Sequence, residues 1–164
     1  MSDFRKAILE LLEHDARMDA AQIAVMLGTS EQQVRDEIER MEQEGIILAY
    51  KTIINTDKAD HGERVEALIE VRVTPQRNLG FEAVAERIRR FDEVQTVYLM
   101  SGAYDLMVVL EGQSMRQIAL FVAQKLSTLD GVLSTATHFI LKKYKDQGIM
   151  FTEEQEDRRL QVTP

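Results

Sequence analysis

The spacing at which apolar residues recur changes once along the chain, near residue 65, and that change demands two differently built domains. Before it the spacing is helical: Phe4, Ile8, Leu11 and Leu12 stand at i, i+4, i+7 and i+8. After it the apolar residues alternate, with Val65, Ala67, Ile69, Val71 and Val73 interleaved with Glu66, Leu68, Glu70, Arg72 and Thr74. A helix buries a stripe and a strand buries a face, so the two patterns specify different backbones.

The front part reads as three short helices. Asp19 with Gln22 forms an N-terminal capping signal, and Ser30 with Gln33 repeats it. The helix between them carries Ile23, Ala24 and Leu27 and ends at Gly28, while the third buries Val34, Ile38 and Met41 and ends at Gly45. Two helices joined by the turn Gly28-Thr29 and roofed by the first form a helix-turn-helix. Residues 46–55, IILAYKTIIN, are rich in β-branched and aromatic side chains and read as extended, either a wing or a strand leaving one. The expected organisation is a winged helix-turn-helix over 1–55, a polar linker over 56–64, a second domain over 65–145 and a tail over 146–164.

In the second domain Pro75 stops the first strand, and Phe81, Val84, Ala85, Ile88 and Phe91 give a helical stripe. Strands over Val94–Met100 and Asp105–Leu110 flank the loop Ser101-Gly102-Ala103-Tyr104. Ser114 with Gln117 caps a helix carrying Ile118, Val122, Leu126 and Leu129, and Gly131 leads into a last strand over Val132–Lys143. The order β-α-β-β-α-β predicts an α/β (α+β) ferredoxin-like sandwich with both helices on one sheet face. The third strand, however, is apolar on both faces from Leu106 to Leu110. A second copy of the sheet is the cheapest cover, at roughly 1.5–3 kcal/mol per side chain buried, so at least a homodimer is expected. From Gly148 onward no periodicity is visible, as expected of a mobile tail or a short docking segment.

Several function classes fall away on composition. With no cysteine there are no disulfides, thiolate nucleophiles or Cys-type zinc sites. The histidines, His14, His61 and His138, are far apart, and no phosphate-binding or dinucleotide-binding glycine motif and no nucleophile elbow occurs. The methionines, Met41, Met100 and Met107 among them, read as packing. No apolar run approaches the roughly 20 residues that span a bilayer, and the N-terminal stretch is amphipathic, so a soluble cytoplasmic protein is expected. No cofactor, metal or enzymatic activity is expected.

A helix-turn-helix followed by a βαββαβ sandwich resembles the Lrp/AsnC (feast/famine) family of transcriptional regulators. The resemblance runs to about residue 145. It rests on residues 8–55, ILELLEHDARMDAAQIAVMLGTSEQQVRDEIERMEQEGIILAYKTIIN, on SGAYDLMVVLEG, similar to the family's Gly-x-Tyr/Phe-Asp hairpin, and on GVLSTATHFILKKYK, similar to its closing strand. It implies a homodimer through the C-terminal sheets, assembled further into octamers or related rings. It also implies an amino acid or similar metabolite that shifts assembly or DNA affinity.

The second helix of such a motif enters the major groove of double-stranded DNA. Gln32, Gln33 and Arg35 are the best base readers, because Gln can pair with adenine and Arg with guanine through two hydrogen bonds each. Thr29, Ser30 and Lys51, with Arg5 or Lys6, are candidates for phosphate contacts. Charge opposes this: residues 1–55 hold 6 Lys or Arg and 11 Asp or Glu, a net of −5, within a chain of net −8. The resemblance also implies an Arg before the second aliphatic of the reading helix, where Val34-Arg35-Asp36-Glu37-Ile38 places Glu37, an acid expected to repel a phosphate.

For the effector, Ser101, Gly102, Ala103, Tyr104 and Asp105 could supply amide donors, a ring and a carboxylate for an ammonium group. They equally suit a plain hairpin with Asp bonded to backbone. Ser134 and Thr135 on the last strand, with Thr137, are weaker candidates for the same crevice. The sequence thus points to a DNA-binding transcriptional regulator responsive to an amino acid. The alternative is a metabolite-binding oligomer whose acidic winged helix holds a protein partner.

Overall fold

The computed structural model describes residues 2–56, 58, 59, 64–74 and 80–151. The chain divides into two compact units, Met1–Ile54 and Asn55–Pro164. Pro75 and His61 lie outside the described residues, as does most of the expected linker.

In the first unit α1 spans Asp3–His14, α2 Ala20–Leu27 and α3 Glu31–Gln43. Both capping boxes form: the Asp19 and Ser30 side chains accept the N–H of Gln22 and Gln33, whose side chains reach back to the cap backbones. Gly28 adopts φ 64°, the left-handed value that ends α2 and turns the chain into the motif's second helix. Ile8, Leu12, Ile23, Ala24, Val34 and Met41 form the buried core, with Ile38 packed at its edge. Residues 46–55 are rich in strand-forming side chains yet pair with no strand among the described residues. A strand needs a partner for its ladder, and the three helices offer none. Leu48 is left 88% exposed.

In the second unit β1 (Val65–Val73), α4 (Phe81–Ile88), β2 (Val94–Leu99), β3 (Leu106–Gly112), α5 (Met115–Phe121) and β4 (Val132–Phe139) follow the expected order. The sheet order is β2-β3-β1-β4, antiparallel throughout, which is the ferredoxin-like arrangement. Ala67, Ile69, Val71 and Val73 of β1 and Leu106, Val108 and Leu110 of β3 point into one core with Val84, Ile88, Ile118, Phe121 and Leu126. Beyond α5 the backbone widens into a π-helical turn over Val122–Leu126, closed by Ser127 N–H to the Val122 carbonyl. The widening keeps Val122 and Leu126 buried, and it brings Lys125 to Glu93 and over the Phe121 ring, 5.2 Å from its centroid.

The last strand ends at Phe139, four residues before Lys143, and the chain then makes a hairpin. β5 (Lys145–Asp146) pairs with β6 (Ile149–Met150) through Gln147 and Gly148, at φ 45° and 85°. Positive φ at both central residues is what a two-residue hairpin turn requires. This hairpin occupies part of the region in which the sequence shows no periodicity, because two-residue strands are too short to display one.

Among the described residues of this unit, no helix covers the other sheet face. Leu68, Met107, Val109 and Tyr98 meet there by register, Leu68 opposite Val109 and Tyr98 opposite Met107. Glu66, Glu70, Arg72 and His138 surround them, with Lys143 paired to Glu66 and His138 to Glu70.

Candidate DNA-reading helix and effector-binding end of the sheet

Helix α3 presents Gln32, Gln33 and Arg35 to solvent while Val34 between them is fully buried. One buried residue among exposed polar ones is what a helix needs if one face packs and the other reads a groove. Each candidate reader is, however, held by a near neighbour in the sequence. Gln32 Nε2 donates to Asp36 Oδ1 at 2.8 Å, and Arg35 Nε donates to Glu31 Oε1 at 2.8 Å. Gln33 Oε1 accepts from Thr29 Oγ1 at 2.5 Å, Ser30 Oγ at 3.1 Å and Ser30 N–H at 3.3 Å. Thr29, Ser30 and Gln33 therefore act together as a cap, and Gln32 and Arg35 would have to exchange their intrahelical bonds before either could read a base.

Two expectations about charge change. Arg5 is no free phosphate contact: its Nε bonds Glu37, and its Nη1 and Nη2 bond Glu44 at 2.7 and 2.9 Å. Glu37 in turn is not presented to a phosphate, since its side chain is 13% exposed and also accepts from Arg40 at 3.3 Å. The fork of Arg5 holds the Glu44 carboxyl below the ordinary carboxylate range, and Glu44 with Glu37 raises the Arg5 guanidinium. Sequence spacing could not find these pairs, because Arg5 and Glu37 are 32 positions apart. Lys6 reaches Asp3 only at 3.6 Å. Among the described residues of this unit, Lys51 and Arg17 are the cations without a carboxylate partner, and Arg17, on the turn before α2, escapes the sequence argument altogether.

In the second unit the loop Ser101–Tyr104 and the strand residues Ser134 and Thr135 lie at the same end of the sheet. Leu106 and Thr135 are both partners of Val71, one on each side, so loop and strand stand two strand spacings apart, about 10 Å. Ser101, Gly102 and Ala103 are exposed, and Tyr104 and Asp105 are half-buried. Asp105 is tied to β1 at both ends of its own residue. Its N–H donates to the Val71 carbonyl at 3.1 Å, and its Oδ2 accepts the Val73 N–H at 2.8 Å. One carboxylate oxygen is thus structural, bonded to backbone across strands, and Oδ1 is left for another donor. Ser134 and Thr135 fall on opposite faces: Ser134 opposes the exposed Arg72, whereas Thr135 shares a 3.0 Å hydrogen bond with Ser127 under the helices. Thr137, also on the helix side, opposes Ile69.

The sequence profile described as the Lrp/AsnC ligand binding domain matches residues 66–150, just over half of the chain, and a winged helix-turn-helix DNA-binding profile matches residues 1–47. The chain belongs to the Lrp/AsnC family. It is 51% identical over 157 residues to the uncharacterised HTH-type transcriptional regulator YugG of Bacillus subtilis, spanning 96% of this chain and 95% of that one. The HTH-type transcriptional regulator LrpA of Pyrococcus horikoshii is 35% identical over 140 residues, 85% of this chain and 96% of the relative. Among solved structures, a Neisseria meningitidis transcriptional regulator in complex with L-Met superposes at a TM-score of 0.71 and 20% identity, covering 89% of this chain and 93% of that one. Within this Lrp/AsnC chain the helix-turn-helix match covers α1 to α3 and the ligand-domain match covers the sandwich from Glu66 onward and the β5–β6 hairpin. No helix among the described residues is long and apolar enough to cross a membrane.

Proposed function

We infer that this Lrp/AsnC protein is a transcriptional regulator that binds double-stranded DNA through α2–α3 and responds to a small-molecule effector held by the sandwich, an amino acid or close relative. The observation that carries this reading is the pairing, in one chain, of a helix-turn-helix match and a ligand-binding-domain match on folds that display both. It disfavours the alternative of a protein-docking front module. Gln32 and Arg35 are the base readers, with Lys51, Thr29 and Ser30 toward phosphates and Gln33 fixing the cap. The effector lies at the sheet end formed by Ser101–Asp105 and Ser134: Asp105 Oδ1 accepts its ammonium group and exposed loop amides receive its carboxylate. That a regulator of the same fold was solved with L-Met supports an amino acid of this size.

A homodimer forms by stacking the uncovered faces of two sheets, burying Leu68, Met107, Val109 and Tyr98, and dimers assemble further toward an octamer. The front module carries few free cations, so affinity rests on several modules engaging DNA together. Fluorescence anisotropy on DNA from upstream of the protein's own gene, across salt and with a pooled amino-acid mix, tests the reading. Saturable binding that exceeds scrambled DNA and shifts with the mix is expected. Absence of binding at low salt would overturn it.

A further inference from the structure

The side chain of Arg5 on α1 grips α3 at one of its own residues and at its C-cap residue. Its Nε bonds Glu37, and its two terminal nitrogens form a fork on Glu44 at 2.7 and 2.9 Å. Glu37 and Glu44 are seven residues, nearly two turns, apart, so they lie on one line along the helix. The apolar contacts that otherwise join these helices, Ile8, Val34 and Met41, exclude water but have little directional preference. A guanidinium is planar and its N–H groups are fixed, so bonds to two points on one face restrain rotation and sliding of α3 against α1. One residue of helix corresponds to about 100° of rotation and 1.5 Å of rise, so a small slip would misdirect Gln32 and Arg35 relative to base edges. Arg5 itself is only 21% exposed and has three of its five N–H groups committed, which leaves it poorly placed for a phosphate.

We propose that Arg5 is a positioning residue for DNA reading, setting the rotation and register of α3 through Glu37 and Glu44 and making no phosphate contact of its own. This rests on the DNA-binding function inferred above.

The test uses the full chain and a duplex selected by the wild-type protein from a random pool, with a scrambled duplex as reference. Two quantities are read by anisotropy: the selected-to-scrambled affinity ratio and the slope of log affinity against log salt. For Arg5→Ala the ratio is expected to fall on the order of tenfold with the slope unchanged. Arg5→Lys, which keeps the charge but not the fork, should recover only part of that loss. A slope reduced by about 0.9 with the ratio intact would mean that Arg5 neutralises a phosphate and would overturn the proposal. An unchanged ratio and slope would overturn it as well. If Arg5→Ala fails to show a wild-type circular dichroism melt, Glu44→Gln decides: a lowered ratio in this folded variant supports the clamp, and an unchanged one refutes it. Failure of the wild type to select any duplex removes the DNA reading and the clamp together, whereas selection by wild type with equal preference in the variants removes the clamp alone.

Discussion

The Asp105 carboxylate accepts the backbone N–H of Val73 at 2.8 Å, joining the start of β3 to the end of β1. This bond allows the structural role of Asp105 to be separated from the effector-binding role proposed for it. Asp105→Ala leaves a mostly buried N–H without its acceptor and should cost about 1–3 kcal/mol in denaturant unfolding. Asp105→Asn keeps an acceptor oxygen for Val73 but loses the negative charge. It should retain near-wild-type stability while abolishing the amino-acid response in DNA-binding titrations. A full response in Asp105→Asn would move the ammonium partner to another residue.

Arg35 is held by Glu31 one turn earlier on α3. Arg35→Ala should lower specific DNA affinity by about 1–3 kcal/mol and leave the oligomer intact in sedimentation. Glu31→Gln should act oppositely, raising affinity a few-fold at low salt by freeing the guanidinium and removing a nearby anion. Equal affinity of Arg35→Ala and wild type for the selected duplex would remove Arg35 from the reading set.

Val109 faces Leu68 on the sheet face opposite the helices of this unit, while its neighbours Val108 and Leu110 are fully buried under them. A charge at 109 therefore falls on the face of the proposed sheet-to-sheet contact without entering the core. Val109→Glu should shift the sedimentation profile from oligomer to monomer with little change in far-ultraviolet circular dichroism. Persistence of the oligomer would place the subunit interface elsewhere. By contrast, Leu110→Ala empties the core and should cost about 2–5 kcal/mol.

Tyr50 donates its hydroxyl to Glu42 Oε1 at 2.8 Å, and partial burial, reinforced by that carboxylate, pushes its phenol up to about 12. A phenol raised in the fold favours its neutral form. Its contribution to stability is thus complete below the unfolded value near 10 and is lost as pH rises through 12. Ultraviolet titration should show one late-ionising tyrosine that disappears in Tyr50→Phe and moves back toward 10 in Glu42→Gln. A titration curve unaltered in Tyr50→Phe would contradict this assignment.

Local pattern was enough for most of the architecture. The capping pairs Asp19–Gln22 and Ser30–Gln33, the turn at Gly28 and the alternation from Val65 each depend on residues within a few positions of one another, and spacing along the chain specifies them directly. The two-faced apolar character of Leu106–Leu110 likewise specifies a sheet face that the two helices leave uncovered. What spacing cannot specify is which distant side chains meet. Arg5 reads as a surface cation and Glu37 as a misplaced acid until α1 and α3 pack and bring them together. Asp105 reads as a hairpin residue until β1 lies beside β3. Ser134 and Thr135, adjacent in sequence, part company because a strand sends successive side chains to opposite faces, and only the register against β1 decides which face is which. Sequence determined most of the elements and their order, since these follow from local conformational preference and periodic burial, but not the unpaired stretch 46–55, the π-helical turn or the β5–β6 hairpin. Tertiary structure decided the partners of the charged and polar groups, since hydrogen bonds and ion pairs depend on ångström-scale proximity between residues the chain itself keeps far apart.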